Sequence, residues 1–161
     1  MNSRNMVYEP IVVTGANGFL GGYVLKTLHG KGYRNIFTFS RKEFDLRKLS
    51  NINRLLKTTQ PATIIHLAGD VGGIGYNLNY PATLFYDNLI MGIQLMEEAR
   101  KKGIKKFISV GTICAYPKFT PVPFKEDDIW KGYPEETNAA YGLAKKMLLV
   151  QAQKNQPWQA A

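Results

Sequence analysis

Two residues near the C-terminal end of the chain have types and spacing that suit proton transfer. Tyr141 and Lys145 are four positions apart in a stretch with helical apolar spacing, so their side chains lie on one face of a helix. An ammonium group beside a phenol favours the phenolate and lowers a tyrosine pKa that is ordinarily near ~10. Such a tyrosine donates or accepts a proton near neutral pH. The same spacing also occurs on helix surfaces that have no function, so the pair needs support from other motifs.

A glycine-rich turn near the N-terminus has the spacing of a phosphate-binding loop. Residues 14–21 read TGANGFLG, which places glycines three apart between a predicted strand and a predicted helix. In such a turn the first glycine permits a tight bend, the second lets the backbone approach a pyrophosphate, and the third lets helix and sheet pack closely. The N–H groups and the dipole of the helix then favour a bound anion. The dinucleotide-binding residues predicted in this turn are Gly15, Ala16, Asn17, Gly18, Phe19, Leu20 and Gly21.

The residues after the second predicted strand indicate which dinucleotide is bound. An acidic residue there would accept a hydrogen bond from the ribose 2′-hydroxyl of NAD, but this sequence has Ser40, Arg41 and Lys42. Such residues suit the 2′-phosphate of NADP, so we predict NADP (as NADPH) in preference to NAD. The alternative is that Arg41 and Lys42 are solvated loop charges. Asp45 and Leu46 are placed to reach the adenine, although Asp45 is equally placed to cap the next helix.

The elements that must position these residues alternate between strand and helix. Short apolar runs predict strands at residues 11–13, 36–39, 63–67 and 107–110, and helical spacing predicts helices that start near residues 19, 49, 82 and 138. Apolar strands alternating with helices predict an α/β fold with a doubly wound parallel sheet, the Rossmann-like arrangement that binds NAD(P). Thr112, just past the fourth strand, then adds a hydroxyl at the carboxyl end of the sheet, where ligands bind.

The predicted fold is incomplete at its C-terminal end. No apolar run that could form a strand follows the last helix, whereas a doubly wound dinucleotide-binding fold ordinarily has about five or six strands. We therefore expect residues 1–161 to form one incomplete dinucleotide-binding domain, truncated after the Tyr-x-x-x-Lys helix. A C-terminal substrate domain is expected to be absent.

Length and composition exclude several classes of protein. The chain has 161 residues, of which 45% are hydrophobic and 20% charged, so it is long enough for one packed domain and is not disordered. A single cysteine, Cys114, excludes an intramolecular disulfide and suits a reducing compartment. No apolar run is long enough for a membrane span or a secretory signal. These features predict a cytoplasmic protein.

The net charge of +9 attracts anions without choosing among small phosphate compounds, nucleic acids and acidic surfaces. The basic run at residues 100–106 is predicted to end a helix, where cations favour the dipole, and it lacks the aromatic platform of a nucleic-acid site. The acidic stretch at residues 124–130 lacks a second cluster of ligands. We therefore predict no nucleic-acid or membrane partner and no metal site.

Together these motifs resemble the extended short-chain dehydrogenase/reductases, the NAD-dependent epimerase/dehydratase superfamily. The resemblance rests on the glycine turn, on HLAG at residues 66–69, on Thr112 and on the Tyr141–Lys145 pair. Within that family, three stretches are similar to the GDP-L-fucose synthases: VGGIG at residues 71–75, GTICAYPK at residues 111–118 and PEETNAAYGLAKK at residues 134–146. The similarity runs from about residue 11 to residue 153, nearly the whole chain.

The resemblance implies roles in the C4 reduction and C3/C5 epimerisation of GDP-4-keto-6-deoxy-mannose. Tyr141 would donate a proton to the C4 carbonyl oxygen while NADPH delivers hydride to C4, and Lys145 would hold the nicotinamide ribose. Thr112 would replace the family's usual serine and hydrogen-bond the carbonyl. Cys114 matches the cysteine that acts as base in the epimerisation, to which a thiolate is suited. The other cofactor contacts implied are Leu67, Ala68, Gly69, Val110 and Gly111.

The sequence also departs from this family. The family's epimerisation acid is a histidine beyond the tyrosine–lysine helix, whereas the two histidines here are expected to be solvated (His29) and structural (His66). We therefore expect the isolated chain to have little or no activity, although the full-length family member would be a homodimer acting on a GDP-sugar. Two alternatives remain: another nucleotide-sugar epimerase/dehydratase of the same superfamily, and a module that binds NAD(P) without catalysis.

Overall fold

The computed structural model describes residues 8–154, which are built around a parallel sheet. Its four strands are β1 (Ile11–Thr14), β2 (Ile36–Thr38), β3 (Thr63–His66) and β4 (Lys106–Ser109), in the order β2-β1-β3-β4. Val12 lies opposite Phe37 on one side and Ile64 on the other. The predicted α/β fold with a Rossmann-like parallel sheet is confirmed, and each strand lies within one residue of its predicted bounds.

The strand order creates a topological switch point between β1 and β3. The chain leaves β1 for β2 on one side of the sheet and later adds β3 on the other side of β1. The two connections therefore diverge, and a crevice opens at the carboxyl ends of β1 and β3. The glycine turn follows β1 and residues 67–69 follow β3, so two of the predicted cofactor-binding segments lie at this crevice.

Five α-helices accompany the sheet within residues 8–154: α1 (Phe19–Gly30), α2 (Leu49–Thr59), α3 (Ile74–Asn79), α4 (Pro81–Lys101) and α5 (Ala139–Lys154). Two short 3-10 turns lie at Ile113–Ala115 and Glu126–Trp130. The four helices predicted from apolar spacing are confirmed. The sequence did not predict α3, because six residues that follow a glycine pair are too few to show a helical period.

The basic run at residues 100–106 ends a helix only at its first residues. α4 stops at Lys101, and β4 already begins at Lys106. Gly103 has a φ of +67°, and the N–H of Ile104 donates to the carbonyl oxygen of Ala99 at 3.0 Å. This glycine-terminated cap ends the helix, so the prediction is wrong for the later lysines of the run.

The core has two parts, one on each face of the sheet. Successive strand residues point to opposite faces, so Val12 and Ile64 pack with residues of α2, α4 and α5. Ile11 and Val13 pack on the opposite face with residues of α1. Helices therefore cover both faces, as the doubly wound arrangement requires.

Helix α5, which carries Tyr141 and Lys145, packs tightly on α4. A Cβ on Gly92 would lie 2.5 Å from the terminal carbons of Leu148, so glycine lets the two helices approach closely. Gln151 also donates a hydrogen bond of 3.1 Å to the carbonyl oxygen of Ile93. These contacts fix α5 relative to the core.

Strand β4 forms one border of the sheet in the described part of the chain. It pairs with β3, and no further strand lies beside it among residues 8–154. Ile108 and Val110 are 38% and 41% exposed. A groove of about 350 Å³ runs between β4 and α5, and its lining includes Met96, Leu148 and Ala152. This border is therefore a sheet edge that carries apolar side chains together with Lys105, Lys106, Lys145 and Lys146.

Candidate functional site

The glycine turn at residues 15–21, called the glycine cradle below, leaves no room for side chains at two of its glycines. Gly15 has a φ of +67°, and a Cβ there would lie 2.6 Å from the backbone nitrogen of Ala68. A Cβ on Gly21 would lie 2.4 Å from the carbonyl oxygen of Gly15, which also accepts the N–H of Gly18 at 3.0 Å. The glycines therefore let the turn after β1, the first turn of α1 and the segment after β3 come together.

The start of α1 is available to bind an anion. Its N-cap residue is Gly18, no side chain caps the helix, and its first turn has no acidic residue. The N–H groups and the positive end of the helix dipole therefore have no competing carboxylate from that turn. An uncapped helix start beside a crowded glycine cradle suits a pyrophosphate, so these residues fit a bound dinucleotide.

Thr14 and His66 fix the two segments that border the crevice. The Thr14 hydroxyl oxygen accepts the N–H groups of Leu67 (3.1 Å) and Ala68 (3.0 Å) and lies 2.9 Å from Nδ1 of His66. Because the oxygen already accepts two N–H groups, its own proton is donated to Nδ1, which must be unprotonated. Burial, helped by the charge on Lys145, lowers the pKa of His66 from 6.5 to about 3. The predicted structural role of His66 is confirmed.

Asn88 of α4 holds the segment that follows β3. Its Oδ1 accepts the N–H of Asp70 at 3.0 Å, and its Nδ2 donates to the carbonyl oxygens of Asp70 and Leu84, both at 2.8 Å. A Cβ on Gly69 would lie 3.1 Å from Oδ1 of Asn88. The sequence analysis missed Asn88, although a buried asparagine within an apolar helix pattern is a signal of such a role.

The residues predicted to select NADP follow β2, beside the end of β1. The N–H and the hydroxyl of Ser40 both donate to one carboxylate oxygen of Glu43 at 2.7 Å. The Arg41 side chain is 64% exposed, and its guanidinium lies 3.9 Å from the Asp87 carboxylate. Lys42 is exposed. Ser40 and Arg41 therefore lie together beyond the carboxyl end of β2, as predicted.

Asp45 and Leu46 are engaged within the protein. Asp45 accepts the backbone N–H of Arg47 at 3.1 Å and its guanidinium at 2.7 Å, and these hydrogen bonds lower the pKa of Asp45 to about 2. The alternative that Asp45 caps the next helix is wrong, because α2 has Lys48 as its N-cap. The side chain of Leu46 is buried in the core, which leaves its backbone for the predicted adenine contact.

Helix α5 and the 3-10 turn at Ile113–Ala115 bring the predicted catalytic residues together. A Cβ on Gly142 would lie 2.0 Å from the carbonyl oxygen of Cys114, so only glycine lets the helix rest on this turn. Thr112 is the N-cap of the turn, and its hydroxyl oxygen accepts the Cys114 N–H at 3.2 Å. Tyr141 is near enough to Cys114 for the thiol to affect the phenol electrostatically.

The electrostatics of this cluster differ from the sequence prediction. Burial raises the pKa of Tyr141, and the nearby Cys114 raises it further. Burial also lowers the pKa of Lys145, which is 9% exposed. The predicted lowering of the tyrosine pKa by Lys145 is therefore wrong for this structure, because desolvation of the phenolate and the neighbouring thiol dominate.

A chain of side-chain hydrogen bonds holds the start of α5. Nδ2 of Asn77, on α3, donates to Oδ1 of Asn138 at 2.9 Å, and Nδ2 of Asn138 donates to Glu135 at 2.9 Å. The carbonyl oxygen of Asn138 accepts the N–H of Gly142 at 2.8 Å. The sequence analysis missed this chain, of which the asparagine immediately before the helix was the available signal.

Several segments of predicted site residues lie at the carboxyl end of the sheet. Residues 15–21, 67–69 and 110–112 directly follow the parallel and adjacent strands β1, β3 and β4. Within residues 8–154, no group of three or more His, Cys, Asp or Glu side chains is arranged to hold a metal ion. No helix in that range is long and apolar enough to cross a membrane.

Comparison with known proteins identifies related sequences. Residues 11–156 match the NAD dependent epimerase/dehydratase family. GDP-L-colitose synthase of Yersinia pseudotuberculosis is 42% identical over 135 residues, which cover 84% of this chain and 44% of that protein. GDP-L-fucose synthase 1 of Arabidopsis thaliana is 32% identical over 135 residues, which cover 84% of this chain and 42% of that protein. The chain thus spans less than half the length of these relatives.

A comparison with a solved structure agrees with the sequence comparison and extends it to the fold. The structure of a GDP-L-fucose synthetase from Naegleria fowleri bound to NADP superimposes with a TM-score of 0.82 at 29% sequence identity. The superposition covers 90% of this chain and 47% of that one. The likeness therefore extends over nearly all of this chain and about half of its relative.

Proposed function

The chain belongs to the NAD dependent epimerase/dehydratase family, and from this premise we propose that it supplies the NADP-binding and proton-transfer part of a nucleotide-sugar epimerase/reductase similar to GDP-L-fucose synthase. One observation carries the proposal. Helix α5 rests on the turn at Ile113–Ala115 through Gly142, at the same edge of the sheet as the glycine cradle. The candidate proton-transfer groups and the candidate dinucleotide site both follow strands of this sheet at its carboxyl end, which supports the proposal because this architecture binds ligands there.

The proposed cofactor is NADP, which supplies the hydride when bound as NADPH. The backbone around Gly15 and Gly18 and the start of α1 would hold the pyrophosphate. Ser40 and Arg41 would contact the 2′-phosphate through charge-assisted hydrogen bonds. The crowding around Gly15 and Gly21 supports the pyrophosphate part of this assignment, because these positions present backbone rather than side chains to a ligand.

Tyr141 would donate its phenolic proton to the C4 carbonyl oxygen of a GDP-4-keto sugar. The raised pKa of Tyr141 keeps the phenol protonated until negative charge develops on the carbonyl oxygen. Lys145, nine-tenths buried, would hold the nicotinamide ribose, the role that the family resemblance implies. The oxygen of Thr112 already accepts the Cys114 N–H, so the hydroxyl proton of Thr112 is available to donate to the same carbonyl oxygen.

Cys114 would act as the base of the epimerisation. Hydrogen bonds from Thr112 and Tyr141 to the carbonyl oxygen make the protons on the neighbouring carbons, C3 and C5, more acidic. A thiolate beside them can then abstract one of these protons. Reprotonation needs an acid on the opposite face, and neither histidine is placed for it: His66 is buried against Thr14, and His29 is exposed on α1.

A matched pair of glycine variants tests the cofactor site. A Cβ on Gly21 would lie 2.4 Å from backbone oxygen, whereas a Cβ on the adjacent Gly22 would meet nothing within 4 Å. We expect Gly21→Ala to weaken NADPH binding by about ten-fold or more, the effect of an overpacked contact, and Gly22→Ala to leave it unchanged. Fluorescence titration measures both, with circular dichroism to verify folding. Equal binding by the two variants, or no binding by the unaltered chain, would contradict the proposal.

A further inference from the structure

An internal carboxylate occupies the hydrogen-bond donors at the end of β2. Both the backbone N–H and the hydroxyl of Ser40 donate to the same oxygen of Glu43, each at 2.7 Å. The N–H groups of Glu43 and Phe44 donate back to the carbonyl oxygen of Ser40 at 3.1 Å. Residues 40–44 thus form a tight turn whose two outward donors converge on one anionic group.

Those two donors are the ones that a 2′-phosphate would use. Ser40 follows β2, and β2 is paired with β1, with Val13 opposite Thr38. The glycine cradle follows β1, so the turn at residues 40–44 lies beside the proposed dinucleotide site. A carboxylate and a phosphate accept hydrogen bonds from the same kinds of donor. The carboxylate of Glu43 therefore stands where a second anion would have to bind.

The nearby cations form no ion pair with the Glu43 carboxylate, although Arg54 donates to the backbone carbonyl oxygen of Glu43 at 2.8 Å. Arg47 is bonded to Asp45 at 2.7 Å and to Asp87 at 2.9 Å, and Arg41 lies 3.9 Å from Asp87. Within residues 8–154, no lysine or arginine forms an ion pair with Glu43 at 4.0 Å or less. The hydrogen bonds from Ser40 lower the pKa of Glu43, so it is ionised at neutral pH. A phosphate that approached Ser40 would meet this negative charge.

We propose that Glu43 is a cofactor-specificity residue that competes with the 2′-phosphate for Ser40 and so reduces the preference of this chain for NADPH over NADH. The inference rests on the proposed NADP site. A carboxylate at this position repels a 2′-phosphate but has no such conflict with the 2′-hydroxyl of NADH. A glutamate that served only to shape the turn would affect the two cofactors equally. The ratio of the two affinities, rather than either affinity alone, therefore reports the competition.

The test is a titration of NADPH and NADH against the unaltered chain, Glu43→Gln and a control, Glu97→Gln. Glutamine keeps the shape of Glu43 and one hydrogen-bond acceptor while removing the charge. Glu97 is a carboxylate on α4 that is bonded to Arg100, so its variant has the same change in net charge away from β2. We expect Glu43→Gln to raise the NADPH-to-NADH affinity ratio about three- to five-fold, the size of an exposed charge interaction. Glu97→Gln should leave the ratio unchanged.

The outcomes separate this inference from the proposed function. If the unaltered chain binds NADPH but Glu43→Gln leaves the ratio unchanged, Glu43 only shapes the turn and this inference alone is overturned. An equal rise in Glu97→Gln overturns it as well, because net charge would then explain the effect. If the unaltered chain binds neither cofactor, the proposed NADP site fails, and the inference fails with it. Thermal melts of all three proteins verify that they are folded.

Discussion

Gly142 of α5 is packed directly against the carbonyl oxygen of Cys114, so that a Cβ on Gly142 would lie 2.0 Å from that oxygen. The preceding residue on α5 is Tyr141, and Cys114 lies in the turn that Thr112 caps. The separation between helix and turn therefore sets how close the phenol is to the thiol. A glycine with no chemistry of its own determines the geometry of the candidate proton-transfer groups.

We expect Gly142→Val to destabilise the protein by roughly 1–3 kcal/mol, the usual cost of overpacking, because the branched side chain forces α5 away from the turn. Gly22→Val is the matched control, since a Cβ on Gly22 meets nothing within 4 Å. Urea denaturation followed by circular dichroism measures both. If the two variants lose the same stability, the Gly142 contact is not tight in solution.

The neutral state of His66 predicts a pH dependence of stability. An unfolded chain protonates this histidine near pH 6.5, whereas the folded chain does so only near pH 3. Between these values the unfolded state binds more protons. The stability that neutral His66 contributes to the folded state is therefore fully present above about pH 6.5 and is lost as the pH falls. The loss is at most about 1.4 kcal/mol per pH unit.

The variant His66→Gln should therefore lose less stability than the unaltered chain between pH 7 and pH 5. The control is His29→Gln, because His29 is exposed at the end of α1. Urea denaturation at each pH gives the slopes, and the difference between proteins removes the contribution of carboxylates common to all three. Identical slopes for the unaltered chain and His66→Gln would mean that the folded chain protonates this histidine over the same pH range as the unfolded chain.

Local patterns in the sequence predict most of the fold. The strands and four of the helices follow from apolar spacing, which depends on residues a few positions apart. The short helix α3 does not, because it has fewer than two turns and lacks an apolar period. The end of α4 also depends on the left-handed conformation of Gly103, which the run of lysines around it obscured.

The candidate site is predictable in its residues but not in its electrostatics. The glycine turn, Thr112 and the Tyr141–Lys145 pair can be identified because their spacing is local. The pKa of Tyr141 cannot, since it depends on burial and on Cys114, which is 27 positions away in the sequence and is brought near by folding. The bond between Ser40 and Glu43 is local, yet its significance depends on the pairing of β2 with β1.

We expect the 161-residue chain to self-associate through β4. This strand has no second neighbour among residues 8–154, and Ile108 is 38% exposed; apolar sheet edges invite pairing with another chain. Ile108→Lys should reduce association, because a lysine at a sheet edge opposes such pairing. Ile113→Lys is the control, since Ile113 is 69% exposed but lies outside the strand. Sedimentation velocity that shows an unaltered chain as a monomer across concentrations would contradict this prediction.

The isolated chain should reduce GDP-4-keto-6-deoxy-mannose very slowly or not at all, even though Tyr141 and Lys145 lie on one helix. Catalysis requires the remote parts of the substrate to be held so that the reacting carbonyl lies within reach of both hydride and proton. Positioning of this kind contributes roughly 7–11 kcal/mol of barrier lowering, which one well-placed tyrosine cannot replace. The 161 residues correspond to 42% of GDP-L-fucose synthase 1 of Arabidopsis thaliana, so we expect them to supply only part of such positioning.

A chimera separates lost positioning from absent chemistry. Residues 1–154 are joined to the C-terminal part of that Arabidopsis synthase, and oxidation of NADPH is followed with GDP-4-keto-6-deoxy-mannose for the chain alone, the chimera and the chimera with Tyr141→Phe. We expect no turnover by the chain, turnover by the chimera, and a loss of about 10²- to 10⁴-fold in the variant, the range of a missing general acid. Turnover by the chain alone at an ordinary enzymatic rate would contradict the prediction, because its own residues would then position the substrate. A chimera that is folded and binds NADPH but is equally active with Tyr141→Phe would instead remove Tyr141 from the mechanism.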